Sequence, residues 1–222
     1  MAVQPAFHPS PRLFATSAAL ARLLARPFCH LRVEGLEHRP DTPFVAIFNH
    51  ASTLDVVAMA HVVPGPVCFW AKAEIREMPL VGAWLGACGA VFVKRGKGDE
   101  EAFGEALARL RDGLPFFLAP EGTRHHGEEG GRPRTGFVRL ALQAGVPVLP
   151  CAISGAREAL PPGGCWPRLF PRRLVRVLVG RPILLPQPVA GQDPREALAA
   201  LAAELMETVY RMKAELDAEE GA

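Results

Sequence analysis

The stretch FVAIFNHASTLDVVAMAHVV, residues 44–63, changes structural period at its centre, and its reading decides the fold. Phe44–Phe48 is a continuous apolar run of strand length, and VVAMAHVV (56–63) is an apolar run with helical character. Between them lie Asn49, His50, Ser52, Thr53 and Asp55. A buried strand that passes through a polar turn into a helix is the repeating unit of a sheet covered by helices. Within the turn, the histidine and the aspartate are five positions apart. On a regular helix such residues point roughly 140° apart. They meet only if His50 lies on the turn and Asp55 in the first helical turn. Two readings stay open on these residues alone. Ser52 and Asp55 fit a capping box, which needs no chemistry. Equally, a carboxylate that holds the Nδ1–H of a turn histidine leaves Nε2 free to take a proton, as a general base requires.

The same alternation extends in both directions. Short β-branched or aromatic runs bounded by Gly or Pro predict strands at 28–33, 44–48, 67–71, 89–93, 115–119, 147–153 and 174–179. Helices are predicted at 53–62, 79–87, 99–112, 136–144 and 194–217. The last has the clearest start: Asp193 as N-cap, Pro194 in the first turn and Glu196 as the capping-box acid. Leu198, Leu201, Leu205, Val209, Met212 and Leu216 then form one apolar stripe. The expected fold is α/β, a mostly parallel central sheet flanked by helices, preceded by an N-terminal amphipathic helix. Residues 1–27 form that helical segment, and 28–222 form one domain.

Residues 10–27 place Arg12, Arg22 and Arg26 within an arc of roughly 80°, with Leu13, Phe14, Leu20 and Leu24 mostly on another side. This fits either a helix packed on the domain or one lying in the plane of a membrane surface. Residues 1–33 carry four arginines and no acid, which suits an anionic surface. Leu13–Ala21, the longest uncharged N-terminal run, is too short to span a bilayer. No signal peptide is expected.

The whole chain has 222 residues, 49% hydrophobic and 22% charged, a globular composition. A formal charge of +2 gives no basis for a nucleic-acid partner. Five cysteines without CxxC spacing read as reduced packing residues in a cytosol-facing protein.

Two more stretches carry polar groups where predicted strands end. Glu121, Gly122, Thr123 and Arg124 follow the run PFFL; they fit either a solvated loop or a phosphate-binding one, since the guanidinium fork matches phosphate oxygens. GAVFVKRG (89–96) ends on Lys94 and Arg95, read as surface charges or a second phosphate contact. HHGEE (125–129) offers His125, His126, Glu128 and Glu129 to a metal, but the spacing matches no standard site, so no metal is expected.

Taken in order, NHASTLD, AKAE, GAVFVKRG, PEGTR and GVPVLPCAI resemble the lysophospholipid acyltransferase family, which includes the 1-acylglycerol-3-phosphate O-acyltransferases. Asn49, His50, Ser52 and Asp55 fill the fixed positions of its N-H-x-S-x-x-D block. Arg95 matches the arginine of the second block, and Pro120–Arg124 match the third, where Ala119 and His125 depart from its ends. Val146–Pro150 match the fourth, and Lys72 and Glu74 an A-K-x-E segment. The resemblance runs from about residue 30 to 180.

It implies acyl transfer from a thioester, acyl-CoA or acyl-carrier protein, to the free hydroxyl of 1-acylglycerol 3-phosphate, giving phosphatidate, with no other cofactor. It assigns His50 as base and Asp55 as its partner. Arg95 and Arg124 would hold the acceptor phosphate, Glu121 and Thr123 would position the glycerol in the loop that Gly122 turns, and Lys72 would be a further contact. The alternatives are another acceptor, glycerol 3-phosphate or a lyso-aminolipid, or a non-catalytic lipid-binding relative. The expected place is peripheral or monotopic on the cytoplasmic face of the cell membrane.

Overall fold

The computed structural model describes residues 9–63, 65–94, 99–122, 132–161, 172–187 and 191–220. The chain opens with α1 (Pro11–Ala25), β1 (Cys29–Glu34), β2 (Val45–Phe48) and α2 (Leu54–Met59). β3 (Cys68–Lys72), α3 (Ala73–Arg76), α4 (Val81–Ala87), β4 (Ala90–Val93), α5 (Glu100–Arg111) and β5 (Phe116–Leu118) follow. It continues through α6 (Gly136–Ala144), β6 (Val148–Ser154), α7 (Ala156–Ala159), β7 (Arg173–Val179) and α8 (Pro194–Glu220).

Among the described residues, seven strands form one sheet in the order β1-β7-β6-β2-β5-β3-β4. Every neighbouring pair is parallel except β6 and β7. The alternation of side chains along β2 divides the core. Ala46 and Phe48 join Leu149, Cys151 and residues of α1, α2 and α7 on one face. Val45 and Ile47 join Phe116, Val148 and residues of α5, α6 and α8 on the other. Both faces of β2 are therefore covered, which is why it reads as a continuous apolar run. The stripe of α8 is buried at Leu205, Val209, Met212 and Leu216.

All seven strands lie where the sequence places them, within a residue at most ends. The helices differ more. α2 stops at Met59, short of the expected 62, because the chain tightens into three-residue turns (His61 N–H to Ala58 O, Val62 N–H to Met59 O) ahead of Pro64. The expected helix 79–87 begins only at Val81, since Leu80 takes a positive φ of 65°. The short helices α3 and α7 have too few residues to show a period. Cys29, Cys68, Cys88 and Cys151 are buried and free, and burial raises each thiol above its ordinary pKa, Cys68 to about 11. They are protonated packing groups; Cys165 lies outside the described residues.

Candidate active site

His50 is the second residue past the end of β2, the strand between β6 and β5. In open α/β sheets this carboxyl end is where ligands gather. Asn49 fixes the departure of the turn. Its amide group donates to Ile153 O at 2.9 Å and accepts from Ile153 N at 2.8 Å, so the side chain continues the pairing with β6 after the backbone has left it.

The turn then folds onto Asp55. Oδ2 of this fully buried carboxylate lies 2.9 Å from His50 Nδ1 and accepts the N–H groups of Ala51 at 2.7 Å and Ser52 at 2.8 Å. Ser52 Oγ accepts from Leu54 N at 3.2 Å and donates to Leu160 O at 2.7 Å, tying the turn to the end of α7. The capping box is therefore present, and the oxygen that closes it also holds the histidine. A carboxylate can only accept here, so Nδ1 carries its proton and the neutral ring presents an unprotonated Nε2. Phe48 packs edge-on against the imidazole, ring centres 6.3 Å apart, and the His50 side chain remains 22% exposed. Orientation, tautomer and access are those of a general base.

Glu121 braces the turn from the other side. It follows β5, the neighbour of β2, and is 8% exposed. Its Oε2 accepts from His50 N at 3.4 Å, and its Oε1 accepts from the Tyr210 hydroxyl of α8 at 2.7 Å. Burial, together with the bond to Glu121, raises the Tyr210 pKa, so the phenol stays a donor. Gly122 turns the loop at φ 71°, and a Cβ there would meet Arg134 Nε at 2.5 Å. Lys72 ends β3 at the same edge of the sheet, exposed to solvent. Arg95, Thr123 and Arg124 lie outside the described residues, as does the HHGEE stretch.

Sequence reasoning did not single out Tyr210. A signal exists: the only tyrosine of the chain sits beside Val209 on a helix that faces the core, where a hydroxyl needs a partner. Tyr210→Phe leaves a buried carboxylate oxygen short of a donor. The expected loss is about 1.5–3 kcal/mol in urea unfolding, with a fall in turnover as the His50 turn loosens. Unchanged stability and turnover would remove the brace.

A family model described as Acyltransferase matches residues 30–154. A lyso-ornithine lipid O-acyltransferase of Pseudomonas aeruginosa is 36% identical over 143 residues, which cover 64% of this chain and 54% of that protein. The 1-acyl-sn-glycerol-3-phosphate acyltransferase alpha of Ovis aries is 30% identical over 190 residues, 82% of this chain and 63% of that one. Among solved structures, the 1-acyl-sn-glycerophosphate (LPA) acyltransferase PlsC from Thermotoga maritima has a TM-score of 0.71 at 26% identity, covering 92% of this chain and 80% of that one. The chain spans about half the length of the first curated relatives it matches.

Proposed function

Because the chain belongs to the acyltransferase family, we propose that it transfers a fatty acyl group from a thioester to the free hydroxyl of 1-acylglycerol 3-phosphate, giving phosphatidate. The observation that carries this reading is the bond between His50 and Asp55 at the carboxyl end of β2, with Nε2 left to receive a proton. The acceptor oxygen attacks the thioester carbonyl while its proton passes to Nε2. Asp55 stabilises the imidazolium that results. The tetrahedral intermediate expels the thiolate, which takes the proton back from His50. The products are an ester and a free thiol, and no covalent acyl-enzyme is needed. In this proposal Arg95 and Arg124 hold the acceptor phosphate, with Lys72 as a further contact. Glu121 braces the His50 turn through both oxygens and, with Thr123, positions the glycerol on its remaining lone pairs. The donor is acyl-CoA or an acyl-carrier protein.

A second acceptor class is favoured by one observation. The 36% identity to a lyso-ornithine lipid O-acyltransferase exceeds that to the glycerol-phosphate enzymes, which supports a lyso-aminolipid. Mass spectrometry of products from an acceptor panel decides. Diacyl product from 1-acylglycerol 3-phosphate alone supports the first reading; product from the aminolipid alone replaces it.

The proposed place of action is a membrane surface on the cytoplasmic side. Among the described residues no helix is long and apolar enough to cross a membrane. α1 packs inward through Phe14, Ala18 and Ala25. Leu20, Leu23 and Leu24, each more than half exposed, point away from that contact. α4 is held to α1 by the Trp84 Nε1 bond to Ser17 Oγ at 2.9 Å, and Leu80, 85% exposed, precedes it. Such an unpartnered apolar face suits in-plane contact with lipid. Replacing Leu20, Leu23 and Leu24 together by serine is expected to lower vesicle co-sedimentation at least about tenfold, since each buried leucine contributes about 1.5–3 kcal/mol. Unchanged sedimentation would take α1 out of the membrane contact.

A further inference from the structure

A cavity of about 350 Å³ lies where α1 and α2 meet the first residues of β1 and β7. This is the size of a small-ligand pocket. It is distinct from the candidate active site: Leu54 lines it, but His50, Asp55 and Glu121 do not. β6 and β7 are antiparallel, with Ser154 paired to Arg176, so the start of β7 lies at the sheet end that carries His50. The cavity therefore lies toward the sheet end that carries His50, on the flank covered by α1.

Its lining is one-sided in charge. Arg22, Arg26 and Arg172 contribute three guanidinium groups, His30 and His61 add two imidazoles, and no carboxylate takes part among the described residues. None of the three arginines has an ion-pair partner among the described residues. Two are aimed by backbone carbonyls, which orient a guanidinium without neutralising it. Arg22 Nη2 donates to Ala60 O at the end of α2, and Arg172 Nη2 donates to Arg26 O at 2.5 Å and to Cys29 O at 3.4 Å. Arg22 Nε is buried with no acceptor among the described residues. Closing the end of α2 accounts for Arg22 alone and leaves Arg26 and Arg172 unexplained. Three like charges gathered with no counter-ion among the described residues repel one another, and a bound anion relieves that repulsion. The floor is apolar, formed by Leu54 and Val57 of α2 with Val175 of β7. Arg22 and Arg26, about 40° apart around α1, lie on the flank between its buried face and its outward leucines.

We infer that this pocket binds the phosphate of an anionic phospholipid, with Arg22, Arg26 and Arg172 on the phosphate oxygens and the apolar floor under the upper part of the chains. The inference rests on the membrane-surface reading of α1. It adds a second lipid site, beside that of the acceptor, which seats the protein with α1 on anionic bilayer. Guanidinium forks supply the charge-assisted bonds, and the apolar floor favours a lipid over a free phosphate.

The test uses the full chain in two arms. In the first, binding is measured to vesicles of phosphatidylcholine alone and of phosphatidylcholine mixed with phosphatidylglycerol. The Arg26→Gln/Arg172→Gln variant is set against Arg12→Gln/Arg32→Gln, which removes the same charge outside the pocket. Diffuse attraction weakens both pairs, and the pocket pair is expected to lose about tenfold more on anionic vesicles. Equal losses would overturn the pocket. In the second arm, short-chain dihexanoyl phosphatidylglycerol, soluble as monomer, is titrated against the histidine ring signals of His30 and His61. Saturable shifts in the wild type, lost in the pocket pair, are expected. Their absence overturns the proposal whatever the vesicles show. Their presence without vesicle binding keeps the pocket and sinks the membrane reading. Displacement of this lipid by inorganic phosphate or coenzyme A at lower concentration would overturn the lipid assignment. Arg26→Gln alone, which leaves both carbonyl bonds of Arg172 intact, serves if the double variant unfolds, and is expected to weaken binding in both arms.

Discussion

His50→Ala is expected to lower acyl transfer by about 10²- to 10⁴-fold, the range for loss of a general base, in a protein that still folds. The fold survives because the imidazole is partly exposed, and among the described residues its side chain bonds only to Asp55 and packs against the ring of Phe48 edge-on. Asn49, Ser52 and the backbone of Ala51 keep the turn in place without it. Near-unchanged KM with lost kcat is the signature of a group that acts in the transition state. Turnover close to wild type in a folded His50→Ala protein would assign the turn to structure alone.

Asp55→Asn combines two effects, and their separation is informative. One oxygen, Oδ2, serves His50, Ala51 and Ser52 together, while Oδ1 is buried with no hydrogen-bond partner among the described residues. An asparagine that keeps its carbonyl toward these three donors places its NH₂ group where nothing accepts it. Leaving a buried donor unmet costs about 1–3 kcal/mol of stability. It also removes the charge that stabilises the imidazolium, so kcat is expected to fall by about 10³- to 10⁴-fold. Urea unfolding and initial rates measure the two separately. A variant with lower stability but near-normal kcat would leave the cap and remove the catalytic role of the carboxylate.

The sequence made the fold legible where burial is two-sided. The inner strands β2, β5 and β6 are apolar runs because helices cover both faces of the sheet there; β1, at the sheet edge, keeps His30, Arg32 and Glu34 among its apolar residues. The order of the strands left no such trace. Nothing local to β7 says that it runs against β6, because the partner of a strand is chosen by long-range packing. The helix boundaries shifted where a single residue overrode the period, as Leu80 does with its positive φ before α4. α7 escaped notice at four residues, although it supplies Leu160 to Ser52 just past its end.

At the site, the pair His50 and Asp55 was legible because its spacing admits one meeting geometry, a turn into a helix. What holds that geometry was not legible. The Asn49 clamp on Ile153 joins positions 104 residues apart, and the Tyr210 bond to Glu121 spans 89. The backbone of β6 reaches the turn, and the Tyr210 side chain of α8 reaches Glu121, only through the topology. The capping box and the His–Asp pair began as competing readings of one heptapeptide. In the structure they share Asp55 Oδ2, so the turn that starts α2 also orients the base.

The most direct measurement is thiol release from a long-chain acyl-CoA by the purified protein, with and without 1-acylglycerol 3-phosphate. The expected result is release that requires the acceptor, with one phosphatidate formed per thiol. Release that is no faster with the acceptor, or thiol that appears as free fatty acid instead of phosphatidate, would contradict it.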